Sequence, residues 1–238
     1  MSLLGSGALV IWHDIVAEHH DEYRDWHGTE HMPERLGIPG ILRGRRYEAV
    51  AGGPQFLTLY EAATLGDITG ESYVRRRGDL TPWSRTMLSH FRNHFRAVAE
   101  VVWSTGALSG GLCATWRFQA PEEQVSGALE TVAAAVQGLV GGRDVASAHL
   151  LRADMRASTS DFAERAAQGL STQVPSWALL VEAWGTIPSF RTWCTSNSPG
   201  ALADLKPYEP AFAVYRVAST MTRSHPDQPP QPRDYDEG

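Results

Sequence analysis

The chain reads as an α+β fold in which two consecutive β-α-β-β-α-β repeats close into a pseudo-symmetric α/β barrel, and three observations predict it. Segments rich in β-branched and aromatic residues alternate with amphipathic helical stretches in that order, and then do so again. Short sequence echoes recur at matching places in the two halves. At 238 residues, 42% hydrophobic and 20% charged, the chain has ordinary globular composition and is long enough for two units of this size.

Residues 8–16 (ALVIWHDIV) follow Gly7 and carry the residue types of a strand. Residues 18–36 read as a helix with Pro33 near its end or at a kink, because proline lacks the N–H that the turn requires. Strands at 41–51 and 56–65 flank Gly52-Gly53-Pro54, a hairpin-like connection. Helices at 67–77 and 82–91 and a strand at 95–103 complete the first unit. After Thr105-Gly106 the pattern restarts with a strand at 112–119. The helix at 122–140 spaces Val125, Leu129, Val132, Ala133, Val136 and Val140 for a core face. Strands at 145–155 and 177–184, a short helix at 189–195 and a strand at 212–219 follow.

The echoes support an internal duplication. VIWHDI aligns with ATWRFQ, pairing Trp12 with Trp116 and His13 with Arg117, and LTLYEAATL resembles ALLVEAWGT, pairing Glu61 with Glu182. HFRAVAEVV around Phe95 is similar to AFAVYRVAS around Phe212. Each β-α-β-β-α-β unit is a ferredoxin-like arrangement, an antiparallel sheet with helices on one face. Its bare face needs cover, and two fused copies supply it to each other. The expected division is a site-bearing repeat at 1–106, a scaffold repeat at 107–221 and a disordered, proline-rich tail at 222–238. Fusion removes the need for a homodimer to complete the barrel and leaves room for one.

Composition narrows function. A net charge of −6, with no basic run beyond Arg75-Arg76-Arg77, argues against nucleic acid. Cys113 and Cys194 fit neither a disulfide framework nor a metal knuckle and read as reduced thiols. The first residues lack the pattern of a signal peptide and no long apolar run occurs, so a soluble, cytoplasmic protein without membrane contact is expected. No phosphate loop, dinucleotide fingerprint or serine-nucleophile elbow appears, and no cofactor is expected.

Histidine and carboxylate acid–base chemistry remains. Seven of nine histidines lie in the first repeat, which therefore carries the expected single site. In residues 25–47 the sequence packs Trp26, His27, Glu30, His31, Glu34 and Arg35, followed by Arg45, Arg46 and Tyr47. On an ideal helix Tyr23, His27, Glu30 and Glu34 share an arc, with His20 and His31 at its edge and Trp26 on the other side. A solvated helix face is the plain alternative. His27-Gly28-Thr29-Glu30-His31 also matches the H-x-x-E-H zinc pattern, for which Glu61 or Glu100 would have to supply a third ligand. Gly28 and Pro33 weaken that helix, and no metal is expected. By alternation Leu9, Ile11 and His13 share one strand face, where His13 is a core histidine or a catalytic one.

Trp26, Glu30, His31, Pro33, Glu34 and Arg35, as W-x-x-x-E-H-x-P-E-R, together with Pro39-Gly40 and Arg45-Arg46-Tyr47, resemble the EthD-like branch of the dimeric α/β-barrel superfamily. The motif covers about residues 14–51, and His27 and Gly28 stand where members often carry Tyr and Asp. The superfamily includes cofactor-free monooxygenases, polyketide cyclases, lactone isomerases and haem enzymes. The resemblance thus implies a small-molecule pocket between helices and sheet. The leading expectation is a cofactor-independent enzyme acting on a small apolar or aromatic metabolite, of monooxygenase, cyclase, isomerase or decarboxylase type. His31 is its expected acid or base, Glu34 the orienting partner, and His27 and His13 assist. Arg35 or Arg46 would anchor a carboxylate or enolate, and Trp26, Glu30 and Tyr47 complete the substrate contacts. The alternatives are a non-catalytic binding or stress-associated protein and a haem protein with His149 or His90 as axial ligand.

Overall fold

A computed structural model describes residues 3–142, 145–167, 169–196, 200 and 202–223. The first half runs β1 (Gly7–Ile15), α1 (His20–Trp26), a π-helical turn (His27–His31), α2 (Met32–Leu36), β2 (Ile41–Gly52) and β3 (Phe56–Ala62). It continues through α3 (Gly66–Thr69), α4 (Glu71–Gly78) and α5 (Pro82–Ser89) into β4 (Phe91–Gly106). The second half runs β5 (Leu112–Phe118), α6 (Glu122–Gln137), β6 (Val145–Ala153), α7 (Met155–Thr159), α8 (Phe162–Ala167), β7 (Thr172–Gln173), β8 (Trp177–Ala183), α9 (Ile187–Ser196) and β9 (Ala211–Thr222).

The strands hydrogen-bond in the order β1-β3-β2-β9-β5-β8-β6-β4, and β4 returns to β1, closing an antiparallel barrel. Within each half the order is fourth, first, third, second strand, the ferredoxin-like arrangement. Closure leaves the eight barrel strands without a free edge. Alternation along each strand then divides the residues. Val10, Trp12, Leu57, Leu59, Leu180 and Tyr215 fill the barrel, while the opposite faces meet the helices. In the second half that outer layer is solid: Val125, Leu129, Val132 and Val136 of α6 pack with Trp177, Leu179, Phe190 and Trp193.

The paired Glu61 and Glu182 of the sequence echo meet inside the barrel. Arg45 lies 3.1 Å from Glu61 and 2.9 Å from Glu182, all three side chains being buried. Leu4 N–H donates to Glu61 and Gly110 N–H donates to Glu182, so the two halves satisfy their carboxylates alike. Arg43 adds a second ion pair to Glu61 at 2.8 Å. His149 approaches Glu182 at 3.4 Å and shares a 2.7 Å hydrogen bond with Ser104. Burial alone would raise the Glu182 carboxyl, but His149 and Arg45 hold it down at about 2. Breaking a buried pair strands its partner charge. Glu182→Gln is therefore expected to cost about 3 kcal/mol, read as a lower urea midpoint with an unchanged slope.

The expected element order stands, with three differences. β4 begins at Phe91, and β9 runs on to Thr222, followed by Arg223 N–H donating to the Leu42 carbonyl. The tail expected from 222 therefore starts with two tied residues, and 224–238, His225 included, lie outside the described residues. The third difference is larger. Between β6 and β8 the chain does not turn back as the first half does at Gly52-Gly53-Pro54 but makes an excursion through α7, α8 and β7. β7 ends it by pairing in parallel with β4 at His94 and Phe95. The second repeat thereby reaches across to the helical side of the first.

Candidate functional site

A cavity of about 370 Å³ lies between the outer face of the first half-sheet and its helices. Its floor comes from strand alternation: Leu9, Ile11 and His13 of β1, Thr58 and Tyr60 of β3, and His94 and Arg96 of β4. Trp26, His27, His31 and Arg35 descend from the helical side. Tyr73 and Arg77 of α4, Ser84 and Leu88 of α5, and Asp161 and Arg165 of the excursion close it. Gly44 helps the helix approach, since a Cβ there would meet the Tyr60 ring and the Met32 side chain at 3.0 and 3.1 Å.

The π turn decides which residues face inward. Pro33 has no N–H to give Thr29 and its ring crowds that carbonyl, so an ordinary helical turn is disfavoured here. The turn widens by one residue over His27–His31, and α2 resumes beyond it. Widening shifts the phase of the helix, which breaks the expected arc. Trp26, placed by ideal winding on the far side, lines the cavity with His27 and His31, and the two imidazole centroids lie 5.7 Å apart.

The histidines sit in different surroundings. His13 is 1% exposed, stacks on Phe91 at 4.3 Å, and neither of its ring nitrogens has a hydrogen-bond partner. Burial pushes its pKa down to about 3. His27 Nε2 lies 3.4 Å from both the Thr58 and the Tyr60 hydroxyls, while its Nδ1 is buried without a partner. His31 stacks on Trp26 at 4.4 Å and its buried Nδ1 is likewise unpartnered. His94 Nδ1 shares a 3.0 Å bond with Thr172 of β7. Burial, followed by nearby Arg46 for His27, Arg35 for His31 and Arg165 for His94, holds these three well below the usual imidazole range. All four rings are neutral at pH 7.

The carboxylates expected beside them are engaged elsewhere. Glu30 accepts from Thr81 Oγ1 at 2.6 Å, Ser84 Oγ at 3.0 Å and Trp26 Nε1 at 3.2 Å, tying the π turn to α5. Glu34 ion-pairs with Arg76 at 2.7 Å. Neither lines the cavity. Arg46 donates to the Arg24 carbonyl and lies over the Tyr23 ring, and Tyr47 points into the barrel beneath Arg45. Because Glu30 carries three hydrogen bonds, Glu30→Ala is expected to cost about 2 kcal/mol, seen as a lower melting temperature.

The zinc pattern is not assembled. Among the described residues no group of three His, Cys, Asp or Glu side chains could hold a metal ion. Glu61 is committed to Arg43 and Arg45, and Glu100 to Arg152 at 2.8 Å. The haem ligands offered by the sequence do not fit this cavity either. His149 is enclosed in the barrel by Ser104 and Glu182, and His90 stacks on His19 at 3.6 Å outside the lining.

Several lining residues were not foreseen. His94 and Arg96 alternate along FRNHFRAV, a signal available in the sequence. Tyr73 and Arg77 sit one helical turn apart on α4. Asp161 and Arg165 come from the half expected to act as scaffold. Burial would raise the Tyr73 phenol, but Arg96 at 3.5 Å and Arg35 over its ring bring the balance below the ordinary value.

A closed antiparallel barrel of two ferredoxin-like halves, with a pocket between one half-sheet and its helices, is an arrangement this chain shares with solved structures of very low sequence identity. Solved structures with this fold include an anthrone oxidase-like protein, 11% identical over 92% of this chain and 94% of its own, with a TM-score of 0.65. A protein from Fusobacterium nucleatum described as a monooxygenase aligns over 93% and 96% at 9% identity, with a TM-score of 0.57. One described as a chlorite dismutase covers 92% and 96% at 6% identity, with a TM-score of 0.52. No family model and no curated protein matches the sequence. Among the described residues no helix is long and apolar enough to cross a membrane.

Proposed function

We propose that the chain is a cofactor-independent enzyme that moves a proton on a small, flat, largely aromatic metabolite. The observation that carries this reading is the cavity onto which four neutral imidazoles converge, two of them from one π turn. A volume of about 370 Å³ with aromatic walls suits a small planar ligand. His31, which has no hydrogen bond to the described protein, is the acid or base that meets the ligand. His27, oriented by Thr58 and Tyr60, is its partner in proton transfer. This pair replaces the one of His31 with Glu34, whose carboxylate Arg76 holds.

Proton abstraction from a carbon conjugated to a carbonyl of the ring system gives a delocalised carbanion. Such an ion can rearrange, cyclise or react with dioxygen, and decarboxylation uses the same proton transfer in reverse. The reaction types expected from the sequence therefore share one step. The names of the anthrone oxidase-like and monooxygenase-type neighbours accord with that chemistry. The W-x-x-x-E-H-x-P-E-R motif supports a place in the EthD-like branch. Two buried cysteines, Cys113 and Cys194, accord with a cytoplasmic setting, and burial pushes the Cys194 thiol up to about 12.

The test is a panel of anthrones, naphthols and hydroxynaphthoquinones offered to chelator-dialysed protein, in air-saturated and oxygen-free buffer, followed by absorbance and oxygen uptake. Turnover of a panel member without added metal or cofactor is the expected result. Binding of panel members with no turnover under either atmosphere overturns the enzymatic reading and leaves a carrier.

A further inference from the structure

The cavity wall is unbalanced in charge. Arg35, Arg77, Arg96 and Arg165 line it, against the single carboxylate of Asp161. Asp161 is already shared, lying 2.9 Å from Arg165, 3.3 Å from Arg77 and 3.9 Å from Arg96. Burial works against its ionised form, but the Arg165, Arg96 and Arg77 guanidiniums outweigh that and hold it below the ordinary carboxylate range.

Arg35 stands outside this arrangement. It is 6% exposed, its Nη1 is buried without a hydrogen-bond partner, and no carboxylate among the described residues pairs with it. Its neighbour in sequence, Glu34, belongs to Arg76. Its guanidinium lies over the face of the Tyr73 ring, 5.9 Å from the centroid. The Glu34 charge acts on Arg35 only at longer range, and a buried guanidinium, which cannot shed its proton, is unfavourable without a carboxylate in hydrogen-bond contact unless a ligand brings the anion.

We infer that the cavity is an aromatic-carboxylate site and that Arg35 receives the carboxylate. The guanidinium fork matches a carboxylate in two parallel hydrogen bonds. A carboxylate is ionised throughout the neutral range, whereas a phenol reaches its anion only near pH 10. Arg96, on the other side of Tyr73, reinforces the positive wall. The flat body of the ligand then lies toward Trp26, Tyr60 and the imidazoles, which places its ring against the proton-transfer pair. The inference rests on the reading that this cavity holds the ligand, and it does not depend on turnover.

Calorimetric titration at pH 7.5 with 2-naphthoate and 2-naphthamide, nearly equal in shape and different in charge, tests it. The carboxylate is expected to bind at least about tenfold more tightly. In Arg35→Met its affinity should fall to that of the amide, with amide binding unchanged within about twofold, and Arg35→Lys should lie between. If Arg35→Met fails to fold, the wild-type ratio and the lysine variant still decide. Equal affinities in the wild type overturn the anion site while leaving the cavity a ligand site. A carboxylate preference that survives in Arg35→Met overturns the assignment to Arg35. If neither probe binds, the reading of the cavity fails and this inference with it.

Discussion

As pH falls below 6.5 the protein is expected to lose stability progressively. His13, His27 and His94 are 1%, 2% and 3% exposed, and burial lowers the pKa of each. Above pH 6.5 these side chains are neutral in folded and unfolded chains alike, and they make stability no more dependent on pH. Below it the unfolded chain takes up protons that the folded chain refuses, so stability falls until the lowered folded pKa is reached. That limit is about 3 for His13. Each such group steepens the loss by up to about 1.4 kcal/mol per pH unit until its own lowered pKa is reached. Glu182, held at about 2, acts in a separate window: its contribution is present above the ordinary glutamate value and is lost as pH falls toward 2. Urea midpoints at pH 7.5, 6.0, 5.0 and 4.5 measure the slope. His13→Phe, which can keep the stack on Phe91 and Phe56, should flatten it and be more stable than the wild type at pH 5. A wild-type midpoint that stays level from pH 7 to pH 5 contradicts the neutral burial of these rings.

Replacing His31 or His27 with Asn is expected to lower turnover of the identified substrate by about 10²- to 10⁴-fold. The two losses should not add, because both side chains serve one proton transfer and either removal disables it. The pH profile supplies a second check. Burial lowers both pKa values, with Arg35 further lowering His31, so the base is already deprotonated well below pH 6.5. In the wild type kcat/KM should therefore pass through pH 6.5 without the inflection of an ordinary imidazole, over the range in which the fold survives. An inflection at 6.5, or turnover indifferent to both substitutions, removes these histidines from the mechanism.

The strand order was legible because β-branched runs and period-two alternation are local signals. The shared face of Leu9, Ile11 and His13 follows from alternation alone, and all three reach the cavity. His27 and His31 were visible as a dense pair, and both lie on it. The partners expected for them were read from ideal helical winding. A π turn adds a residue to that winding, so Glu30 and Glu34 swing to α5 and to Arg76 while Trp26 comes inward. Proline at 33 announced an irregularity but did not specify its kind. Arg96 was readable from alternation with His94 had β4 been started at Phe91. Asp161 and Arg165 carried no such signal, since no local period tells where a long connection between two strands will settle. The same holds for the closure of Glu61 and Glu182 on one arginine: their echo was visible, and their meeting across the barrel was not.

The excursion through α7, α8 and β7 bears on why the two halves are one chain. In a pair of identical subunits, lengthening a hairpin lengthens it twice, and each copy must then find room for its twin. A covalent duplication escapes that symmetry. Here one hairpin remains a tight turn at Gly52-Gly53-Pro54 while its counterpart grows a flap that delivers Asp161 and Arg165 to the other half. A dimer rebuilt from the first half alone would have two cavities, each open on one side and lacking its acidic residue. One rebuilt from the second half alone would carry two flaps, each without the half-sheet it now covers. Joining the halves near Gly106 lets one strand connection lengthen while its counterpart stays a tight turn.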